Sequence, residues 1–192
     1  MDRSSLLEVH MKILALIGSP RKGGNTDILV DRILDGSAAG GKTKETIETE
    51  KLYLYDYEIL PCLDCRKCKK GDHTCSLKDD MAGIHQKMES SDLIIFGTPV
   101  YWYGPTAKMK LLMDRMRPFI SSSSLKGKKG VLVSPSEEGP GCCGPLVDIF
   151  RMSLSYIGME PAGMILARAY EKGEILKYQD ELKRAYDLGS SL

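Results

Sequence analysis

The sequence lacks any apolar run long enough to cross a membrane, and its first ten residues, MDRSSLLEVH, lack the apolar core of a signal peptide. It also lacks an excess of charge of either sign, because 27 lysines and arginines balance 26 aspartates and glutamates and leave a net charge of +1. A chain without a basic surplus has no general electrostatic attraction for nucleic acid or for an anionic membrane. We therefore expect a cytoplasmic protein that binds neither nucleic acid nor membrane.

Aromatic residues are few, at 7% with a single tryptophan, but a hydrophobic content of 42% is enough for one core in a chain of 192 residues. No linker divides the chain. We expect a single domain over residues 1–192, with residues 1–10 forming a loose extension before the first strand. In a chain without a secretion signal, the six cysteines are expected to be reduced thiols or metal ligands rather than disulfides.

Residues 11–26, MKILALIGSPRKGGNT, place a short apolar strand directly before a glycine-rich polar loop that opens a helix. Such an arrangement forms an anion site, because the free N–H groups and the positive end of the helix dipole favour a phosphate. The loop does not match a nucleotide-hydrolysing P-loop, since Gly24 and Asn25 occupy the places of its lysine and its hydroxyl residue. It does not match the dinucleotide fingerprint either, since Gly18 is followed by Ser-Pro and no Gly-x-Gly turn is present.

The polar side chains of this loop suit a terminal monophosphate. They are Ser19, Asn25 and Thr26, with Arg21 nearby. The alternative is that Ser19 and Thr26 only cap the helix that follows.

Apolar periodicity and turn residues divide the chain into five strand–helix units. Strands separated by helices pair in parallel through right-handed crossovers, so we predict an α/β fold, a three-layer sandwich with a five-stranded parallel sheet. If the strand order is 2-1-3-4-5, the loops after the first and third strands flank a ligand crevice at the carboxyl ends of the strands. Strands are predicted over residues 13–17, 46–55, 93–97, 130–134 and 163–167, and helices over residues 25–35, 79–90, 106–117, about 145–158 and 174–188.

The loop after the predicted third strand carries Tyr101, Trp102 and Tyr103 in a row. Three consecutive aromatic side chains cannot all face the core, and aromatic groups beside a phosphate loop suit a planar heterocycle. The alternative is that they pack on a neighbouring helix or on a second subunit.

Three segments in this order, GSPRKGGNT, CLDCRKCKKGDHTCSLKDDM and TPVYWYGPTAKMKLLMDR, resemble the flavodoxin-like NAD(P)H-dependent FMN reductase family, including its iron–sulfur flavoprotein branch. The resemblance covers residues 11 to about 167. It implies a flavodoxin-like fold with FMN as cofactor, NAD(P)H as co-substrate, and a homodimer or homotetramer. It also implies that the flavin carries the chemistry, so that no side chain is expected to act as a catalytic acid or base.

The same resemblance implies which residues bind FMN. For the phosphate they are Ser19, Arg21, Asn25 and Thr26. For the isoalloxazine ring they are Pro99, Val100, Tyr101, Trp102 and Gly104. The loop after the fourth strand, residues 134–144 beginning with Ser134, would complete the site.

Four cysteines form the motif CxxCxxCx₆C, at Cys62, Cys65, Cys68 and Cys75. Thiols at intervals of three fold around one face of a tight loop, and the fourth can complete a tetrahedral set of sulfur ligands. From the residues alone, structural zinc, with His73 as a substitute ligand, and free or redox-active thiols are alternatives. The resemblance to iron–sulfur flavoproteins implies a [4Fe–4S] cluster.

A separate vicinal pair, Cys142 and Cys143, lies in the loop after the fourth strand. Adjacent cysteines seldom form a disulfide because its geometry would be strained. We therefore expect the pair to serve packing or contact with a substrate.

Two functions agree with these features. The first is an FMN-dependent oxidoreductase that takes reducing equivalents from NAD(P)H and reduces a flavin, a quinone or a similar small-molecule acceptor. The alternative is an iron–sulfur flavoprotein in which ferredoxin or another low-potential donor fills the cluster, and the cluster relays single electrons to FMN. A phosphate-sensing module without redox chemistry would explain the glycine-rich loop but not the aromatic loop.

Overall fold

The computed structural model describes residues 10–40 and 46–192, which form one five-stranded parallel sheet. The strands are β1 (His10–Ile17), β2 (Thr46–Tyr53), β3 (Leu93–Gly97), β4 (Lys129–Ser136) and β5 (Glu160–Arg168). They lie in the order β2-β1-β3-β4-β5, so the predicted order 2-1-3-4-5 is confirmed. The winding reverses between β1 and β3, which makes the carboxyl ends of these two strands the expected ligand site.

Helices cover both faces of the sheet and complete the three layers. In β1, Ile13, Ala15 and Ile17 pack on one face and Leu14 and Leu16 on the other, because successive side chains of a strand point to opposite sides. The first face carries α1 (Asn25–Gly40) and α6 (Gln179–Ser190). The second carries α2 (Met81–Ser90), α3 (Ala107–Asp114), α4 (Pro118–Ser122) and α5 (Gly144–Tyr156).

Two predicted helices are interrupted in the structure. The helix predicted over residues 106–117 ends at Asp114 and α4 begins at Pro118, because a proline has no N–H to donate back to Asp114. The helix predicted over 174–188 begins instead as a 3₁₀ turn, Glu174–Lys177. Tyr178, with φ −107° and ψ 79°, is not helical and separates this turn from α6.

The predicted N-terminal extension, residues 1–10, can be compared with the structure at His10. Strand β1 begins at His10, so this residue belongs to the sheet rather than to a loose extension. The rest of the predicted extension, residues 1–9, lies outside the described residues. Within residues 10–40 and 46–192, no helix is both long enough and apolar enough to cross a membrane.

Helices α1 and α6 touch backbone to backbone through two glycines. A Cβ atom on Gly36 would collide with the carbonyl of Tyr186, and one on Gly189 would collide with the carbonyl of Ile33. Ser190 also donates its hydroxyl hydrogen to the carbonyl of Gly36, at 3.2 Å. A methyl group at either glycine would therefore force the two helices apart.

We expect Gly36→Ala to lower the free energy of unfolding by about 1–3 kcal/mol, because overpacking this contact shifts a helix. The matched control is Gly83→Ala in α2, where an added Cβ meets no atom within 4 Å. There the better helix propensity of alanine should raise stability by about 0.5–1 kcal/mol. Urea unfolding followed by circular dichroism measures both variants. Equal changes in the free energy of unfolding for the two variants would contradict the requirement for glycine at position 36.

Candidate functional site

A cleft opens at the carboxyl ends of the strands, where the topology predicts a ligand site. It has a volume of about 590 Å³, including the part open to solvent. Seven of the ten predicted FMN-binding residues line it, and their contact with FMN stays a prediction. The lining comprises Ser19, Arg21, Asn25 and Thr26 after β1, Pro99, Val100 and Tyr101 after β3, Pro135, Ser136 and Glu137 at the end of β4, and Ala169, Tyr170 and Lys172 after β5.

The first turn of α1 presents backbone donors to this cleft. The N–H groups of Asn25, Thr26 and Asp27 have no acceptor within the part of the chain that the structure describes, as is usual for the first turn of a helix. Two cationic side chains, Arg21 and Lys172, line the same cleft. Free amides, a helix N-terminus and positive charge together form an anion site.

The loop between β1 and α1 is held in shape by local contacts. The Ser19 hydroxyl accepts the N–H of Arg21 at 3.2 Å, and the Arg21 guanidinium donates to the carbonyl of Tyr170 at 3.0 Å. A Cβ atom on Gly24 would lie 2.7 Å from the carbonyl oxygen of Arg21, so the turn requires glycine there. Ser19 thus orders the loop rather than capping α1.

The side chain of Asn25, predicted to contact the phosphate, is bound to the loop after β5. Its Nδ2 donates to the carbonyl of Glu171 at 2.8 Å, and its Oδ1 accepts the N–H of Ile175 at 3.2 Å. Only one Nδ2 hydrogen is left for a ligand. In this structure the side-chain amide of Asn25 therefore positions α1 against that loop, while its backbone N–H has no acceptor among the described residues.

Asp27 places a carboxylate in the same helical turn. It accepts hydrogen bonds from the Lys51 ammonium at 2.6 Å, the Gly23 N–H at 2.7 Å and the Tyr53 hydroxyl at 2.9 Å. Burial alone would raise the pKa of Asp27, but these hydrogen bonds, led by that of Lys51, together outweigh burial and hold the pKa below its usual value. The ammonium group offsets the negative charge, which reduces its repulsion of a phosphate at the neighbouring amides.

Thr106 joins the loops that follow β1 and β3. Its hydroxyl donates to the carbonyl of Gly18 at 2.5 Å and, as the N-cap of α3, accepts the N–H of Met109 at 3.3 Å. Its own N–H donates to the Thr98 hydroxyl at 3.1 Å. A Cβ atom on Gly18 would lie only 2.8 Å from the Cβ of Met109, so this close approach also requires glycine.

The aromatic residues form a tight turn in which Tyr101 and Gly104 exchange backbone hydrogen bonds at 2.8 and 3.0 Å. Both central residues, Trp102 and Tyr103, have positive φ, 50° and 62°, a conformation usually taken by glycine or asparagine. Trp102 is 96% exposed and lines, with Tyr103, a second and more open cleft. The residues predicted to contact the isoalloxazine ring therefore do not all lie in one cleft, because Trp102 and Gly104 are not among the residues that line the first cleft.

Ser134, predicted to contact the flavin, lies below the cleft. It is fully buried, and its hydroxyl has no hydrogen-bond partner among the described residues. The next residue on the same face, Ser136, lines the cleft instead, because β4 continues to Ser136. Sequence reasoning also missed Tyr170 and Lys172. Applying the carboxyl-end rule to the loop after the predicted fifth strand would have found them.

The cysteine loop, residues 60–79, connects β2 to α2. Cys68 is buried, and burial raises the pKa of its thiol. The Cys65 sulfur lies 3.3 Å from the Ser76 hydroxyl. In residues 10–40 and 46–192, no three histidine, cysteine or acidic side chains are placed to hold a metal ion. The donor set suits a sulfur-ligated cluster by type and spacing, and Cys65 would have to turn away from Ser76 to join it.

A buried ion pair closes the cysteine loop. The Arg115 guanidinium, 1% exposed, donates to both carboxylate oxygens of Asp79, at 2.6 and 3.0 Å, and to the carbonyl of Leu60, at 2.7 Å. Its Nη2 also lies 3.3 Å from the Cys75 sulfur. Burial would raise the pKa of Asp79, but hydrogen bonds, first that of Arg115, hold it below its usual value. Leu60 and Asp79 flank the four cysteines, so Arg115 joins both ends of the loop.

The sequence pattern of the NADPH-dependent FMN reductase family matches residues 11–163. An iron–sulfur flavoprotein of Methanocaldococcus jannaschii is 42% identical over 67% of this chain and 65% of its own length. A putative NAD(P)H-dependent FMN-containing oxidoreductase of Bacillus subtilis is 27% identical over 91% of this chain and 94% of its own length.

A solved archaeal flavodoxin has a TM-score of 0.58 at 14% identity, over 94% of this chain and 95% of its own, which concerns the fold alone. The fold is therefore flavodoxin-like, as predicted. Since the family pattern covers most of the sheet and the cleft-lining loops after β1 and β3, the chain belongs to the NADPH-dependent FMN reductase family of oxidoreductases.

Proposed function

We propose that this protein binds FMN in the cleft and acts as an FMN-dependent oxidoreductase. It takes reducing equivalents from NAD(P)H and reduces a flavin, a quinone or a similar small-molecule acceptor in the cytoplasm. The observation that carries the proposal is that an anion site and an aromatic wall share one cleft and are joined by the Thr106 hydroxyl. The name of the B. subtilis relative supports the assignment.

In this proposal the first turn of α1 holds the FMN phosphate. The N–H groups of Asn25 and Thr26 and the Thr26 hydroxyl donate to its oxygens, and Arg21 and Lys172 supply positive charge at the rim. The hydrogen bonds of Asn25 to the loop after β5 keep these donors in place.

The loop after β3 forms the wall for the flavin ring. Pro99, Val100 and Tyr101 line the cleft beside the phosphate loop, and such apolar and aromatic groups suit a planar ring. When bound, FMN supplies hydride and electron transfer, while the chain binds it, orients it and shields it from water. We also propose a homodimer or homotetramer, in which a second subunit covers the exposed Trp102 and Tyr103.

The second candidate is an iron–sulfur flavoprotein that receives single electrons from ferredoxin or another low-potential donor. The observation that favours it is that Arg115 holds together the two ends of the loop that carries the four thiols. The name of the M. jannaschii relative agrees with it. A [4Fe–4S] cluster would be held by Cys62, Cys65, Cys68 and Cys75, and the guanidinium beside Cys75 would offset part of the thiolate charge.

We expect Thr26→Val to weaken the binding of FMN about tenfold, because one hydrogen bond to a charged phosphate is lost. Valine retains the methyl group of Thr26 that lies near Gly97. The binding of riboflavin, which has no phosphate, should change little. Fluorescence titration of the apoprotein with both flavins measures the difference, and Thr49→Val on the exposed surface of β2 is the control. Equal losses for the two flavins would contradict the assignment of Thr26 to the phosphate.

Anaerobic purification, with an absorption spectrum and iron and sulfide analysis, separates the two candidates. Flavin bands without iron, bleached rapidly by NADPH, are expected for the reductase. For the iron–sulfur flavoprotein we expect flavin bands together with about four irons per chain. The iron should be lost in Cys68→Ser and kept in Cys142→Ser. A colourless protein that takes up no FMN would refute both.

We expect Arg115→Met to lower the free energy of unfolding by about 3–5 kcal/mol, because it leaves the buried carboxylate of Asp79 without its counter-charge. Adding Asp79→Asn should recover part of this loss, since the carboxylate charge is then removed as well. The control is Arg184→Met, which breaks an exposed pair with Glu181 and should cost less than about 1 kcal/mol. Urea unfolding measures all three. An Arg115→Met variant as stable as the control would mean that the pair does not hold the loop.

A further inference from the structure

The vicinal thiols of Cys142 and Cys143 have no part in the functions above, yet they are held as a pair. The Cys142 sulfur lies 3.3 Å from both the Ser136 hydroxyl and the carbonyl oxygen of Gly139. The Cys143 sulfur lies 3.6 Å from the same two oxygen atoms. Because both sulfurs share two neighbours, they lie on the same side of the turn.

The two thiols can lose their protons without leaving a buried polar group unpaired. The carbonyl of Gly139 also accepts the Ser136 hydroxyl at 2.8 Å and the N–H of Cys142 at 3.4 Å. A carbonyl oxygen has two lone pairs, so four donors compete for it. When both thiols are deprotonated, the Ser136 hydroxyl still satisfies this carbonyl.

The two thiols differ in how accessible they are from the surface. Cys142 is half-buried and lines the more open cleft together with Trp102, Tyr103 and Glu137, whereas Cys143 is fully buried beneath it. A reagent that enters this cleft therefore meets the Cys142 thiol first and the Cys143 thiol second.

The backbone favours a bridging atom over a disulfide. No peptide bond among the described residues is cis, so the two Cα atoms are about 3.8 Å apart, closer than the roughly 4.4–6.8 Å usual for disulfides. An atom inserted between the sulfurs enlarges the ring and removes the need for a direct S–S bond. Zinc would require about four ligands, and no third histidine, cysteine or acidic ligand stands with this pair in the described chain. A trivalent metalloid needs only the two thiols.

We propose that Cys142 and Cys143 form a chelating site for trivalent arsenic compounds. With an arylarsine oxide, two As–S bonds form and the As=O bond breaks. The two thiol protons and the oxide leave as water. No electron is transferred, so the arsenic stays trivalent and the site requires neither FMN nor the cysteine loop.

The test treats the native full-length protein with equimolar phenylarsine oxide, then with an alkylating agent, and identifies the protected cysteines by mass spectrometry. Trypsin releases residues 130–151, GVLVSPSEEGPGCCGPLVDIFR, which contain Cys142 and Cys143 and no other cysteine. Residues 52–66 carry Cys62 and Cys65 on a separate peptide, so the two sites are read independently. We expect both thiols of the 130–151 peptide to be protected and to be released by a dithiol rather than by a monothiol.

Single substitutions distinguish a chelate from simple thiol modification. Cys143→Ser and Cys142→Ser should each weaken binding of the arsenical about a hundredfold, because the second As–S bond is formed at the high effective concentration of a neighbouring residue. Cys62→Ser, in the cysteine loop, should leave protection of the 130–151 peptide unchanged. The proposal is overturned if this peptide is alkylated equally with and without the arsenical, if Cys143→Ser binds as tightly as the parent protein, or if the untreated protein carries a Cys142–Cys143 disulfide. None of these outcomes depends on whether the protein binds FMN.

Discussion

The hydroxyl of Thr106 is the contact on which the geometry of the cleft depends. It donates to Gly18 at the start of the glycine-rich loop and caps α3 at the end of the loop that carries Tyr101, Trp102 and Tyr103, so a single buried group fixes the distance between the two walls. Removing it would leave the Gly18 carbonyl without this donor inside the protein, at a cost of about 1–3 kcal/mol. Gly18 permits the contact because any side chain there would meet Met109. The geometry of the cleft is therefore set by backbone and hydroxyl contacts within the chain.

Much of the fold follows from local patterns. The alternation of apolar strands and helices predicts a parallel sheet. For the strand order 2-1-3-4-5, the rule that ligands bind at the carboxyl ends then predicts most of the cleft from two loops. The predicted end of β4 at residue 134 is wrong, because the strand continues through Pro135 to Ser136. Proline is excluded from central strands, but β3 pairs with β4 only as far as Val133, so at Pro135 the strand is bonded to β5 alone.

Two features of the site that sequence reasoning did not find depend on partners far along the chain. Asn25 has the residue type of a phosphate ligand, but its amide binds Glu171 and Ile175, which no local pattern brings to α1. Arg115 occupies an ordinary position near the end of a helix, and only the fold shows that Asp79 and Leu60 enclose it. The positive φ of Trp102 and Tyr103 is likewise imposed by the turn, since neither residue type prefers it.

Helix α3 connects the two candidate redox sites. Thr106 caps its N-terminus and binds the glycine-rich loop after β1, and Arg115 follows its C-terminus and closes the cysteine loop. At about 1.5 Å per residue the two anchors are roughly 13 Å apart along the axis. A packed helix resists compression, so it keeps the cleft and the two ends of the cysteine loop at a fixed spacing. Only the proposed iron–sulfur flavoprotein uses that spacing, because an electron carrier needs its thiols near enough to pass electrons into the cleft, whereas the proposed reductase needs the cleft open to NAD(P)H.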